Sequence, residues 1–443
     1  MLTQELEKKA TLADKLDSRF QFTQKGSSLS TELMAGITTF MAMAYILIVH
    51  PSFMRAAGMD VGAVTVAVAL LSALACFAMG YFTNLPFAIA PAMGGNAFFA
   101  FTLVAQGVVN WQTAMGMVFI SGIAFIILTF LGLRELIVKM MPTNVKIAIG
   151  AAVGLYIAQL GFKSGGLMVI GNGSIVLGSM SEYKVLLTLL GLVLASGFTA
   201  RKVNGGLLLA IIIITVIGIP LGMTQVPDHL ISLPPSMAPI AFELDIVAAL
   251  QFGYISFIFT FFVGDFFSTL GTLLGVSEKA GFLDKQGNLP NINRPFWVDS
   301  IATTVGSLFG MTTLTTYIES AAGVEAGGRT GLTAISTGLC FLLCVFLTPI
   351  VIMIPAFATA PILILLGMSM LTCVKRLEFE DPTEFMPAFA TIVFCAYTSS
   401  ISNGISMGIL SYIAIKLCAG RYRDIHPGLF VLAIPLIYFF AIK

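Results

Sequence analysis

Apolar runs of about 15–25 residues recur along the whole chain, and this recurrence restricts the fold more than any other feature. A bilayer core is about 30 Å thick, which helices of that length cross. Inside it every backbone N–H and C=O must find a protein partner, so only helices or a closed barrel can span. The runs are continuous and do not alternate apolar with polar residues, which excludes a β-barrel. Hydrophobic residues make up 57% of the chain and charged ones 10%, with a mean hydropathy of +0.96, so soluble domains are excluded too. The sequence predicts an all-α polytopic membrane protein.

Spans are expected at 33–50, 61–83, 87–107, 113–132, 146–168, 184–199, 206–222, 246–274, 297–310, 317–327, 330–353, 356–374, 385–398 and 402–418, fourteen in all. An apolar tail at 428–442 is too short for a comfortable crossing and is expected along the interface or sideways on the bundle. With the N-terminus inside, nineteen Lys and Arg residues fall on the inner side, against Arg55, Lys163 and Lys184 outside, with Lys443 unassigned. The first thirty residues, with Lys8, Lys9, Lys15, Arg19 and Lys25, lack a short apolar core with a cleavage site. They are expected as a cytoplasmic tail, which makes this a cell-membrane (plasma or inner) protein.

Fourteen spans divide into two sets of seven, and an odd number makes the halves inverted relative to each other. The third span of each half opens on a broken backbone. One carries Pro86, Pro91, Gly94, Gly95, Asn96, Phe98 and Phe99; the other runs from Thr312 through Tyr317 and Glu319 to Gly323. Half-helices meeting at mid-membrane would aim their N-terminal N–H groups into one site. Taken one at a time, the glycines would be explained by close helix packing; two matched segments favour a site.

Asp265 lies inside the apolar run 246–274, and Glu319 lies in the tenth span. A carboxylate at bilayer depth costs roughly 2.5–3.5 kcal/mol on insertion scales, so it usually faces a cavity or pathway. It can take up and lose a proton during a cycle, or accept hydrogen bonds from a ligand's N–H groups. Helical spacing puts Ser268, Thr269 and Thr272 on the face of Asp265, with Phe261 and Phe262 one turn back. Each phenylalanine could stack on a flat ring, though core packing explains either one singly.

Other chemistry is thinly represented. His50, His229 and His426 lack metal-ligand spacing, and the six cysteines show no C-x-x-C pair. No phosphate-binding G-x-x-x-x-G-K-[ST] run occurs, so transport would be facilitated or ion-coupled. Gly404-Ile-Ser406-Met-Gly408 matches the serine-hydrolase pattern, but that pattern needs a strand–turn–helix setting and a histidine. No enzyme activity, cofactor, metal or nucleic acid is expected.

Several segments together resemble the second nucleobase:cation symporter family, in its AzgA-like branch of hypoxanthine, adenine and guanine permeases. They are residues 31–40, 85–94, 96–99, 271–276, 316–320 and 326–333. The resemblance implies two inverted seven-span repeats, with short strands before the half-helices of spans 3 and 10. It implies a tail at 1–31, a core domain at 32–133 and 246–353, a gate domain at 134–225 and 354–418, and a C-terminal tail at 419–443. It also implies purine binding by Asn96, Asp265 and Glu319, coupling to protons, for which Asp265 and Glu319 are the candidates, and a homodimer through the gate; Phe262, Ser268, Gly94 and Gly95 are candidate lining of that site from their own positions. The chain departs from the branch at Ser268, where a second acid is usual, at His50-Pro51, usually Asn-Pro, and at Gly95, usually bulkier. The expected function is proton-coupled uptake of purine bases. An anion carrier of the same fold is the nearest rival, although two acids would repel an anion; an ion channel and a serine hydrolase stand further off.

Overall fold

The computed structural model describes residues 12–132, 140–171, 174–284 and 288–441. Lys8, Lys9, Arg134, Lys139, Lys285 and Lys443, all counted above, lie outside the described residues. The chain is mostly helical, a multi-pass membrane protein. Among the described residues nine helices are long and apolar enough to cross a bilayer. They are Leu29–Ala56, Val61–Thr83, Trp111–Phe130, Thr143–Ser164, Tyr183–Ala200, Phe252–Ala280, Gly331–Met353, Ala356–Arg376 and Ile401–Cys418.

Five of the fourteen expected spans fall short of that length. The third and tenth shrink to Met93–Val104 and Ser320–Glu325, because extended residues occupy the chain just before them. The seventh, ninth and thirteenth form Gly206–Gly218, Asn293–Leu308 and Pro382–Thr398, of 13, 16 and 17 residues.

Helix starts are written locally. Side chains of Ser28, Asp60, Asn110 and Ser400 accept hydrogen bonds from the N–H groups of Thr31, Ala63, Thr113 and Asn403, which would otherwise be unpaired. The first span is interrupted at Ala44 and Tyr45, between Leu29–Met43 and Ile46–Ala56. Part of the expected N-terminal tail is itself a helix, Leu12–Phe20. Phe20 and Phe22 pack on Leu332, and Arg19 donates to the Tyr81 carbonyl at 2.7 Å.

The spans pack in two groups: 1, 2, 4, 8, 9 and 11 mainly on one another, and 5, 6, 7, 12, 13 and 14 likewise. Each group has a close glycine contact. A Cβ on Gly331 would overlap the Gly80 carbonyl of span 2, and one on Gly367 would overlap the Gly154 carbonyl of span 5.

Two strands precede the short third and tenth helices. β1 (Ile89–Pro91) pairs antiparallel with β4 (Leu314–Thr316), in register Ile89 to Thr316 and Pro91 to Leu314. Ala92 N–H to Thr313 O (2.7 Å) and Tyr317 N–H to Ala88 O (3.0 Å) extend the ladder at both ends. A second antiparallel pair, β2 (Met168–Gly171) with β3 (Ser174–Leu177), was not expected. The C-terminal apolar tail is the helix Pro427–Ala441, which packs sideways on the bundle: it lies along span 14, and Tyr438 meets Phe252 edge-on at 4.8 Å.

Candidate functional site

Asn96, Asp265 and Glu319 all lie at or beside the β1–β4 ladder. On one side, Pro86 and Pro91 keep the chain extended until Ala92, where the helix Met93–Ala97 begins. Asn96 is fully buried, and its Oδ1 accepts a hydrogen bond from the Thr312 hydroxyl. The His50 ring lies beside the Asn96 side chain, but neither buried ring nitrogen has a hydrogen-bond partner among the described residues. Gly94 and Gly95 are half-buried. A Cβ on Gly94 would press on Val153 of span 5 at 2.7 Å, and one on Gly95 would meet the Thr313 hydroxyl at 2.5 Å.

On the other side the ladder leads through Tyr317 to Glu319. The Tyr317 hydroxyl donates to the Pro91 carbonyl at 2.5 Å, tying the two broken segments together a second time. Glu319 Oε1 accepts from the hydroxyl of Tyr45, which lies at the break in the first span, at 2.6 Å. Glu319 stays partly exposed, and Ile318 beside it is 62% exposed.

Behind the ladder is a second acid that sequence reasoning missed. Asp265 and Asp299 are both buried. The Thr303 hydroxyl lies 2.9 Å from Asp265 Oδ2 and 3.0 Å from Leu314 O, and its one proton serves one acceptor at a time. The Thr269 hydroxyl donates to Asp299 Oδ2 at 2.7 Å and lies 2.7 Å from Thr315 Oγ1 on β4. The outer oxygen of each acid, Oδ1, has no hydrogen-bond partner among the described residues. Two buried carboxylates are thus each held by a threonine hydroxyl that also bonds to the same strand, β4.

The lining residues divide. Ser268 is exposed, on the same open face of span 8 as Gly264, Gly271 and Gly275, where an added Cβ would meet nothing within 4 Å. Phe262 does not face that opening. It is buried against Phe125 (5.8 Å, edge-on) and Phe266 (5.7 Å, stacked), so core packing accounts for it. Ser406 lies within the helix Ile401–Cys418, with Gly404 and Gly408 packed on Thr391 and Cys395, which is not the strand–turn–helix setting of a nucleophile.

Glu32 was also missed. Fully buried at the start of the first span, it accepts from the N–H groups of Arg329 (2.9 Å) and Thr330 (3.2 Å) and from the Thr333 hydroxyl (2.5 Å). It thereby anchors the turn between the tenth and eleventh spans.

A multi-pass helical protein with two broken segments crossed at a short ladder, and ionisable groups beside the crossing, belongs to the class of membrane transporters. Comparison with known proteins narrows this. The chain belongs to the family described as Permease family (Xan_ur_permease), whose model matches residues 30–407. Similar proteins include the adenine permease AdeQ of Escherichia coli, 38% identical over 94% of each chain. The guanine/hypoxanthine permease PbuG of Bacillus subtilis is 36% identical over 96% of this chain and 99% of its own. In fold, the chain resembles the transmembrane domain of the cyanobacterial bicarbonate transporter BicA, with a TM-score of 0.64 at 19% identity over 85% of this chain and 97% of that one. SLC26A9 gives a TM-score of 0.64 at 11% identity, over 94% and 70%.

Proposed function

We propose that this chain imports purine nucleobases by alternating access, driven by protons. The observation that carries the reading is Glu319, half-open beside a ladder backed by two buried acids, in a chain whose relatives are named adenine and guanine/hypoxanthine permeases. Glu319 accepts from an N–H edge of the base at the ends of the two short helices, and Asn96 shapes the opposite wall. Asp265 is taken as a base-binding and proton-coupling residue, and Asp299, buried behind the same strand, as a further group able to take up a proton. The low dielectric strengthens each of these contacts. Transport, and not catalysis, is the activity.

The same reading takes the spans as fourteen in two inverted repeats. The two packing groups support a core of spans 1–4 and 8–11 and a gate of spans 5–7 and 12–14. The N-terminus is cytoplasmic, and two copies pair through the gate. The fold likeness to anion carriers favours one rival, but Asp265, Asp299 and Glu319 together would repel an anion.

The test is uptake of labelled adenine, hypoxanthine, guanine and uracil into cells lacking their own permeases, with and without a protonophore. Purine-selective uptake that collapses with the protonophore is expected. Purine uptake untouched by the protonophore would remove the coupling. Bicarbonate or sulfate flux with no base uptake would replace the reading with the rival.

A further inference from the structure

A cavity lies along the seam between the two helix groups, at the end away from the N-terminal helix. Its volume is about 470 Å³, within the roughly 300–1,000 Å³ of small-ligand pockets. The last turn of span 1, the end of span 3, spans 5 and 12, and Ser399 line it, leaving it open on one side. The half-buried Phe101 ring forms one wall, backed edge to face by the buried Phe53 with centroids 5.1 Å apart. Gln106 and Lys163 stand among the polar lining, which holds one ammonium and no carboxylate.

Below this cavity the seam is latched. The Tyr156 hydroxyl lies 3.0 Å from Thr102 Oγ1, and Thr102 donates to the Ser399 carbonyl at 3.3 Å. Thr102 follows Asn96 in the same short helical segment, so the latch stands between the cavity and the central site. It also joins span 3 to spans 5 and 13. On span 8, by contrast, the face of Gly264, Gly271 and Gly275 is uncovered.

Resting on the purine-importer reading and its orientation, we infer that this cavity is the first docking site for the incoming base, closed below by the Thr102–Tyr156–Ser399 latch. The chemistry selects a flat heteroaromatic ring with acceptors in its plane. The aromatic wall takes the ring, and the Lys163 ammonium and the Gln106 amide donate to a ring nitrogen or exocyclic oxygen. An organic cation would be repelled by Lys163, and a small inorganic anion would gain nothing from the wall.

The test measures sidedness. Hypoxanthine KM is determined from the outer face in permease-deficient cells and from the inner face in everted membrane vesicles, for the parent, Lys163→Gln and Gln106→Leu. Lys163→Gln should raise the outer KM roughly tenfold, the loss of one charge-assisted hydrogen bond. Gln106→Leu should raise it by a few-fold, and the inner KM should stay within about twofold for both. Outer KM unchanged in both variants, or raised equally on both faces, overturns the docking site while purine transport stands. A parent that takes up no purine overturns the importer reading, and the docking site with it.

Discussion

The third and tenth spans break in the same way and are furnished differently. Both enter through a strand, both shorten to a stub of helix, and the two strands pair with each other. In the third span the polar group is neutral, fully buried and held by a threonine: Asn96 with Thr312. In the tenth it is ionisable, partly exposed and held by a tyrosine: Glu319 with Tyr45. Matched backbones with unmatched side chains divide the labour. On the proposed reading one stub is a fixed wall, and the other carries the group that changes charge.

That contrast can be broken at several points. Glu319→Gln should lose accumulation against a gradient altogether and weaken binding by about 1.5–3 kcal/mol, while counterflow exchange survives. Measuring uptake and exchange in the same vesicles checks this; normal accumulation would mean the tenth span is no more ionic than the third. Backbone crowding comes next. A Cβ on Gly323 would overlap the Thr39 hydroxyl and the Ala35 carbonyl, whereas one on Gly95 meets only the side chain of Thr313 and Ala92. Gly323→Ala should therefore cost about 1–3 kcal/mol of stability, and Gly95→Ala less, as read from thermal unfolding of the purified proteins. Tyr45→Phe removes one donor from a carboxylate and should raise KM roughly tenfold. The smallest effect belongs to Thr312→Val, a neutral contact at Asn96 worth about 0.5–1.5 kcal/mol, seen as a few-fold change in KM. If Thr312→Val proves the more damaging of the last two, the assignment of wall and switch is reversed.

Much of this is legible in the sequence. Length and hydropathy located the long helices, because lipid forces each to be both apolar and complete. Pro86, Pro91, Gly94 and the threonines before Glu319 disclosed the two breaks, since such residues disfavour an uninterrupted helix. Asp299 was hidden by a boundary. A ninth span expected from 297 leaves it at the rim, where charges are unremarkable, but the helix starts at Asn293 and carries it almost two turns inward. Tyr45 and Glu32 were hidden because their partners, Glu319 and Arg329–Thr333, are remote in sequence. Glu32 does give a physical reason for two of the shared segments: residues 31–40 and 326–333 meet through its carboxylate. Phe262 misled because helical spacing sets a face but not what covers it. The β2–β3 pair did leave a trace, as the Asn172-Gly173 dipeptide between two β-branched runs is a hairpin signal.

The β1–β4 ladder also sets an order of events during synthesis. Tyr317 and Pro91, which it brings together, are 226 residues apart. At about 5–20 residues per second, roughly 10–45 s pass between the emergence of one strand and that of the other. Throughout that interval the Ile89–Pro91 backbone has no strand to pair with, a state that lipid tolerates poorly. The first half must therefore wait, shielded by the insertion machinery or by water, and a chain truncated before Leu314 should be recognised as unfinished and degraded.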